Sequence, residues 1–180
     1  MHNAAIRQSG PQEDSIRMST APRVSVPVAV VMARREVTGA AGWRVASWAV
    51  VGVVAGAELS VQQARGVPIH SEGGEEQFLW GGLQLELYRD AAASYWANLT
   101  ANQPALFVLC SEDESGRLVP KSVTADQDEA SSGVEVDDRV FRADIPPELY
   151  QRLEAFVIEH HMPEEKRRRK RSDWSQPEES

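Results

Sequence analysis

The hydrophobic and polar positions of this chain alternate with a period of two before they turn helical. In VSVPVAVVMARRE, residues Val24, Val26, Val28, Val30 and Met32 share one face, which predicts a strand. Pro27 removes a ladder donor and predicts an edge position at that point. Thr38 to Gly42 reads as a glycine-bearing turn. The following WRVASWAVVGVVAG is apolar on both faces, with Trp48, Val50 and Val54 one way and Ala49, Val51 and Val53 the other. Such a strand is expected to be central, or covered on both sides, and the short connection predicts an antiparallel hairpin with the first. Glu58 to Glu76 carries Gly66, Pro68, Gly73 and Gly74 in a polar setting and reads as a long surface loop.

The richest stretch runs from Phe78 to Cys110 and reads as strand, helix, strand. Leu79, Leu83, Leu85 and Leu87 alternate against Trp80, Gln84, Glu86 and Tyr88, with Gly81-Gly82 as a strand irregularity. Asp90 stands where an N-cap belongs, and Ala92, Tyr95, Trp96 and Leu99 follow at helical spacing until Asn102 and Pro104 stop the helix. PALFVLC is the next strand and SEDESGRLVPK the next loop. VTADQDEASS, Val123 to Ser132, is compatible with the start of a short helix of thin apolar content, and a short strand falls around Arg139 to Arg142. Pro146 and Pro147 then open a helix in which Leu149, Leu153, Phe156, Val157 and His160 mark the buried stripe, and Pro163 ends it. The fold expected is α+β: a mostly antiparallel sheet of four or five strands packed by helices at 91–101 and 147–161. Residues 1–22 read as a disordered leader, 23–163 as one domain, and 164–180 as a charged flexible tail. Met18 is an alternative start to Met1.

Composition narrows the function classes. A net charge of −8 argues against a nucleic-acid-binding body, which needs a basic surface. The one cysteine, Cys110, allows neither a disulfide framework nor a thiolate metal cluster within the chain, and suits a reducing compartment. The longest near-apolar run, Val45 to Leu59, is too short for a spanning helix, and the N-terminus has no apolar signal region. A cytoplasmic location is therefore expected, and the tripeptide Asn98-Leu99-Thr100 reads as an accidental glycosylation match.

Candidate chemistry is sparse. His160 and His161, with Glu159 and Glu164, resemble metal ligands, but adjacent helical residues point about 100° apart and need a third ligand from elsewhere. No metal is expected there. Asp126, Asp128 and Glu129, with Asp137 and Asp138 beyond, form a carboxylate run without the glycine-anchored loop of a calcium site, and read as a solvated face. Cys110 reads as a buried structural thiol. Gly73-Gly74 and Gly81-Gly82 lack the lysine and helix of a phosphate loop. The conspicuous feature is the basic run Lys166, Arg167, Arg168, Arg169, Lys170 and Arg171, followed by Trp174. It reads as a protein-docking arm, with Trp174 as its anchor, in preference to a nucleic-acid arm. The other four tryptophans, Trp43, Trp48, Trp80 and Trp96, read as core.

These motifs, in the order VPVAVVMARRE, WRVASWAVVGVV, LWGGLQLELYRD, SYWANL, PALFVLC, VTADQDEA, IPPELYQRLEAFVIEHH and PEEKRRRKR with DW, resemble an uncharacterised proteobacterial family. Genes of that family accompany formate dehydrogenase and molybdenum-cofactor genes. Its relatives place acidic residues where this chain has Ala91, Ala92 and Ala93, so any role of those carboxylates does not carry over. The resemblance implies a non-enzymatic accessory or adaptor for a molybdenum-dependent formate dehydrogenase, partnered by one of its subunits or a maturation factor, without a membrane. An alternative is a small ligand-binding protein or enzyme of molybdenum-cofactor (molybdopterin-guanine dinucleotide) metabolism, with a pocket lined by groups such as Arg34, Arg35, Arg89 or the Asp126–Glu129 cluster. A nucleic-acid contact through the basic tail is the third. No catalytic residue and no bound cofactor is predicted, and the absence of a glycine-rich phosphate loop argues against nucleotidyl transfer.

Overall fold

The computed structural model describes residues 24–39, 42–56, 66–135 and 138–161. Along them run β1 (Val24–Thr38), β2 (Arg44–Ala55), β3 (Val67–Glu72), β4 (Glu75–Leu87), α1 (Ala92–Leu99), β5 (Leu106–Glu112), β6 (Leu118–Thr124), α2 (Gln127–Glu135), β7 (Arg139–Ala143) and α3 (Pro147–His160). The class is α+β, with seven strands and three helices among the described residues where four or five strands and two helices were expected. The sheet order is β2-β1-β4-β6-β5-β7, and β3 lies beside the first half of β4. Among the described residues every pairing is antiparallel except that of β4 with β6, which meet at Leu85 and Val123. The sheet curls until its ends, β2 and β7, approach without pairing, so it is a nearly closed barrel. The leader 1–22 and the tail 164–180 lie outside the described residues.

Two strands escaped the sequence reading, and the helix α2 was only outlined by it, each for its own reason. Every residue of β3 is exposed, so no burial period singles it out from a loop. Its signal was the turn: Gly73 and Gly74 have φ of +59° and +82°, as a two-residue hairpin turn requires, and Glu72 pairs with Glu75. In β6, Pro120 and Lys121 break the apolar pattern, but a register shift after Leu109 sets Pro120 opposite Cys110, an irregularity of the kind that admits proline. The weakly apolar α2 needs little to bury, because Ala130 sits on Phe107 and Leu109 of β5 and Asp126 caps its first turn.

Bulges decide which side chains face inward. β1 presents Val26, Val28, Val30 and Met32 to the core, as the alternation predicted. On β2 a register shift opposite Val31/Met32 changes the phase, so Trp48, Val50 and Val53 all pack toward the core while Val51 and Val54 turn out. β2 is therefore neither central nor covered on both faces. It is the terminal strand, and Val45 and Val51 are each 55% exposed. The β1–β2 pair is the expected antiparallel hairpin. Pro27 lies in a strand flanked by β2 and β4, yet the β2 register ends at Val28–Ala55 and the Gly56 N–H donates to the Pro27 carbonyl at 3.1 Å. The missing donor thus falls where β2 stops, a local edge inside the sheet. On β4 the irregularity at Gly81-Gly82 brings Trp80 inward with Leu85 and Leu87 and leaves Leu79 only half-buried, reversing the expected face for the first half of the strand.

The helices cover part of this barrel. α1 buries Ala92, Tyr95, Asn98 and Leu99, and its N-cap is Ala91 without a side-chain bond, not Asp90. Trp96 stays 47% exposed and Trp43 75%, so two of the four tryptophans expected in the core are outside it. α3 starts at Pro147 and buries Leu149, Leu153, Phe156 and Val157, with Tyr95 edge-on to Phe156 at 6.1 Å. Asn98 pins α1 in place. Its amide donates to the carbonyls of Ala105 (2.8 Å) and Ala125 (2.9 Å), and the Ala105 N–H donates to its Oδ1 (3.1 Å). That occupation explains a buried asparagine in an otherwise apolar contact.

Candidate functional site

The inward faces of β1, β2 and β4 change character along the barrel. One row holds Val53, Val30 and Trp80, the next Val50, Met32 and Phe78, and the next Trp48, Arg34 and Glu76. The same alternation that builds the core therefore ends, three rows on, in charge. Arg34 pairs with Glu76 at 3.1 Å and with Glu36 at 3.6 Å, and Arg44 meets Glu36 at 3.3 Å. Opposite this row stands the turn between β5 and β6. Asp113 Oδ1 accepts from the Ser115 N–H (2.9 Å), the Ser115 hydroxyl (2.6 Å) and the Arg117 N–H (2.9 Å), and Gly116 takes φ +75°. Those bonds hold the Asp113 carboxyl below its usual range, the Ser115 hydroxyl contributing most.

The tight turn sends Arg117 back across the barrel. Its guanidinium lies 4.6 Å from the Phe78 ring centre and 4.9 Å from that of Trp80. Trp48 adds a second wall, 6.2 Å from Phe78 and tilted 40° to it. Gly66, at φ +67°, presses on the pair so closely that a Cβ there would stand 2.6 Å from the Trp80 ring and 2.8 Å from Arg117 Nη2. Arg34, Trp48, Glu76, Phe78 and Arg117 line a cleft of about 330 Å³. It can bind and orient a small molecule. Among the described residues that line it, the one hydroxyl, that of Ser115, is engaged by Asp113, and there is no histidine, so they offer no activated nucleophile.

The other candidate residues are dispersed. The His160 side chain is shielded, edge-on to Phe156 at 4.5 Å, while His161 stacks on Trp96 at 5.6 Å, so the two rings diverge. Among the described residues no group of three or more histidine, cysteine or acidic side chains could hold a metal ion. Asp126 caps α2 through the Asp128 N–H (2.9 Å) and accepts from Ser94 (2.5 Å), and Glu129 accepts from Thr124 (2.7 Å). The carboxylate run is thus largely committed to a helix start. Nearby, Tyr88 donates to Glu86 at 2.5 Å, and this bond to a carboxylate pushes its phenol up to about 12. Cys110 is buried as expected, and burial pushes its thiol up to about 12, the unreactive end of its range. Of the arginines put forward together, Arg34 lines the cleft, Arg35 pairs with Glu75 on the outer face at 2.8 Å, and Arg89 is exposed beside α1. Lys166 to Arg171 and Trp174 lie outside the described residues. Arg117 and Phe78 were missed because they stand some 40 residues apart and meet only through the turn before β6, and no local signal marks it.

A family model described as "Protein of unknown function (DUF3305)" matches residues 27–170. The chain belongs to that family. No curated protein and no solved structure matches it. The DUF3305 match opens within β1, spans every later element and includes Lys166 to Lys170 of the basic run. No helix among the described residues is long and apolar enough to cross a membrane.

Proposed function

We propose that this DUF3305 protein is a non-enzymatic adaptor that docks a protein partner, in the service of a molybdenum-dependent formate dehydrogenase. The observation that carries the docking role is the outer face of the β2-β1-β4-β3 half. Val37 and Val45 are cross-strand neighbours there, both exposed, beside the exposed Trp43 of the hairpin turn. Val31 and Leu79, half-buried, form a separate outward row with the exposed Val67 of β3, and the Arg35–Glu75 ion pair lies between the two rows. Exposed apolar side chains such as Trp43, Val37 and Val45, bordered by charge, mark an interaction site. Nothing among the described residues groups a nucleophile, a base and an anion hole, which keeps the enzyme reading in second place. The formate dehydrogenase assignment rests on the family resemblance. The basic run is the second element of the proposal: Lys166 to Arg171 steer an acidic partner and Trp174 anchors it.

The test is co-purification of the full chain from cells that make a molybdenum-dependent formate dehydrogenase. A formate dehydrogenase subunit or maturation factor is expected in the complex, lost when Val45 and Trp43 are both changed to Ser. Deleting residues 164–180 is expected to leave the melting temperature nearly unchanged and to weaken capture, more so at low salt. Recovery of nucleic acid or a metabolite in place of a protein overturns the adaptor reading.

A further inference from the structure

A groove of about 610 Å³ runs where β2 and β7, the end strands of the sheet, approach without pairing. Val37, Val45 and Trp48 line it from the β1–β2 pair, and Val134, Val140 and Phe141 from α2 and β7. Val45 and Val134 are 55% and 60% exposed, so both banks are apolar and open to water. Val37 pairs with Val45, and just beyond them the Gly39 N–H donates to the Trp43 carbonyl at 2.8 Å. The turn that carries Trp43, 75% exposed, therefore begins at the edge of the groove. An aromatic knob and an apolar hollow lie side by side on one surface.

That placement is what a two-fold axis requires. In an isologous pair a residue of one copy meets a second residue of the other, and the reverse contact forms at the same time. Each Trp43 then enters the hollow of the opposite copy. The charges permit it. A chain of net charge −8 repels its own copies unless they meet through a face with no surplus of its own. Here Asp138 pairs with Lys121 at 3.3 Å, Arg139 with Glu112 at 2.8 Å, and Arg44, next to Val45, with Glu36 at 3.3 Å. A strongly acidic or basic segment finds no free counter-charge among these groups, and an identical face brings none. The area sets the strength. A tryptophan hides about 150–250 Å², so two knobs and the walls they cover hide about 600–1,000 Å². That lies just below the range of stable complexes, which begins near about 1,200 Å², and fits a weak pair that a better partner displaces.

We propose that a second copy of this chain docks on this face through a two-fold axis, Trp43 of each copy seated between Val45 and Val134 of the other. The dimer covers the face until the partner takes its place. This rests on the docking role of Trp43 and Val45 proposed above and adds what occupies them when no partner is present.

The experiment is sedimentation velocity on the full chain alone, where a monomer at about 1 μM is expected to become mostly dimer by about 300 μM. Trp43→Ser removes the knob and Val134→Arg fills the hollow, and each is expected to weaken self-association by about tenfold or more. Both positions are exposed, so the melting temperature of either variant is expected to stay nearly unchanged. Mixing the two variants restores one of the two knob-and-hollow contacts, so the mixture is expected to associate more tightly than either alone. Ile158→Ser removes an exposed apolar side chain from α3, outside this face, and is expected to leave the dimer as it is. The proposal is overturned if the chain stays monomeric to about 300 μM, or if Ile158→Ser weakens the dimer as much as Trp43→Ser does. It is equally overturned if both face variants dimerise as the parent does, or if their mixture recovers nothing. The two readings fail separately. A monomeric chain whose capture of a partner still needs Trp43 loses the dimer and keeps the adaptor. A Trp43-dependent dimer that captures no partner loses the adaptor and keeps the dimer.

Discussion

The two halves of the barrel belong to one sheet and have opposite exteriors. In the half made of β5, β6 and β7, the outward residues Phe107 and Leu109 are buried under Ala130 of α2, with Val140 beside them. In the half made of β1 to β4, the outward residues Val45, Val51, Val54 and Val67 are exposed. Both faces are apolar in sequence, so hydrophobicity alone does not say which is finished. A covered face contributes to stability, and an uncovered one is stabilised only by what binds it. The interior repeats the contrast at its ends: Tyr95 and Phe156 pack where α1 meets α3, while at the mouth the Arg117 guanidinium stands over aromatic rings with one donor unmet among the described residues.

The strongest way to break this comparison is at the seam. Leu85 is 1% exposed, pairs with Val26 in one half and Val123 in the other, and lies in the core cluster that the two halves share. Leu85→Ala is expected to destabilise the chain by about 2–5 kcal/mol in urea denaturation, as truncations of close-packed leucines do. A loss under about 0.5 kcal/mol would mean that the halves are held together elsewhere.

Asn98→Ala should come next, at about 2–3 kcal/mol, because it orphans the Ala105 N–H and two carbonyls that join α1 to the ends of β5 and β6. Alkaline titration then separates the covered half from the rest. Burial raises Cys110 from 9.0 and Tyr95 from 10.0, each to about 12, and Glu86 raises Tyr88 from 10.0 to about 12. Groups raised on folding stabilise the protein below their unfolded values. That contribution is lost as pH climbs through the folded ones. Melting temperature is accordingly expected to hold from pH 7 to 9 and fall toward pH 12. Iodoacetamide at pH 8 should label Cys110 only as fast as the β5 half opens.

The smallest effect belongs to the uncovered face. Val51→Ser, at a bulged and exposed position, is expected to change stability by less than about 0.5 kcal/mol in the same urea experiment. A larger loss would show that the outer face is covered after all.

Alternation and punctuation by themselves determined a good deal of this protein. The inward set of β1, the buried pair Leu85 and Leu87, the β1–β2 hairpin and the stripe of α3 are all readable, because each depends on neighbours within one element. Cys110 belongs with them, since one thiol inside an apolar strand has nowhere else to go. Phase was decided elsewhere. The bulges opposite Met32 and Val30 exist only when strands pair, and they turned Val51 outward and Trp80 inward against the period read from the chain. Exposed β3 and proline-bearing β6 are strands because β4 and β5 offer them unpaired backbone groups, a cause outside their own composition. The cleft lies furthest from the sequence. Arg117, Phe78, Trp80 and Trp48 come from β2, β4 and the turn before β6, and they meet only because the sheet curls far enough to bring that turn over the barrel mouth.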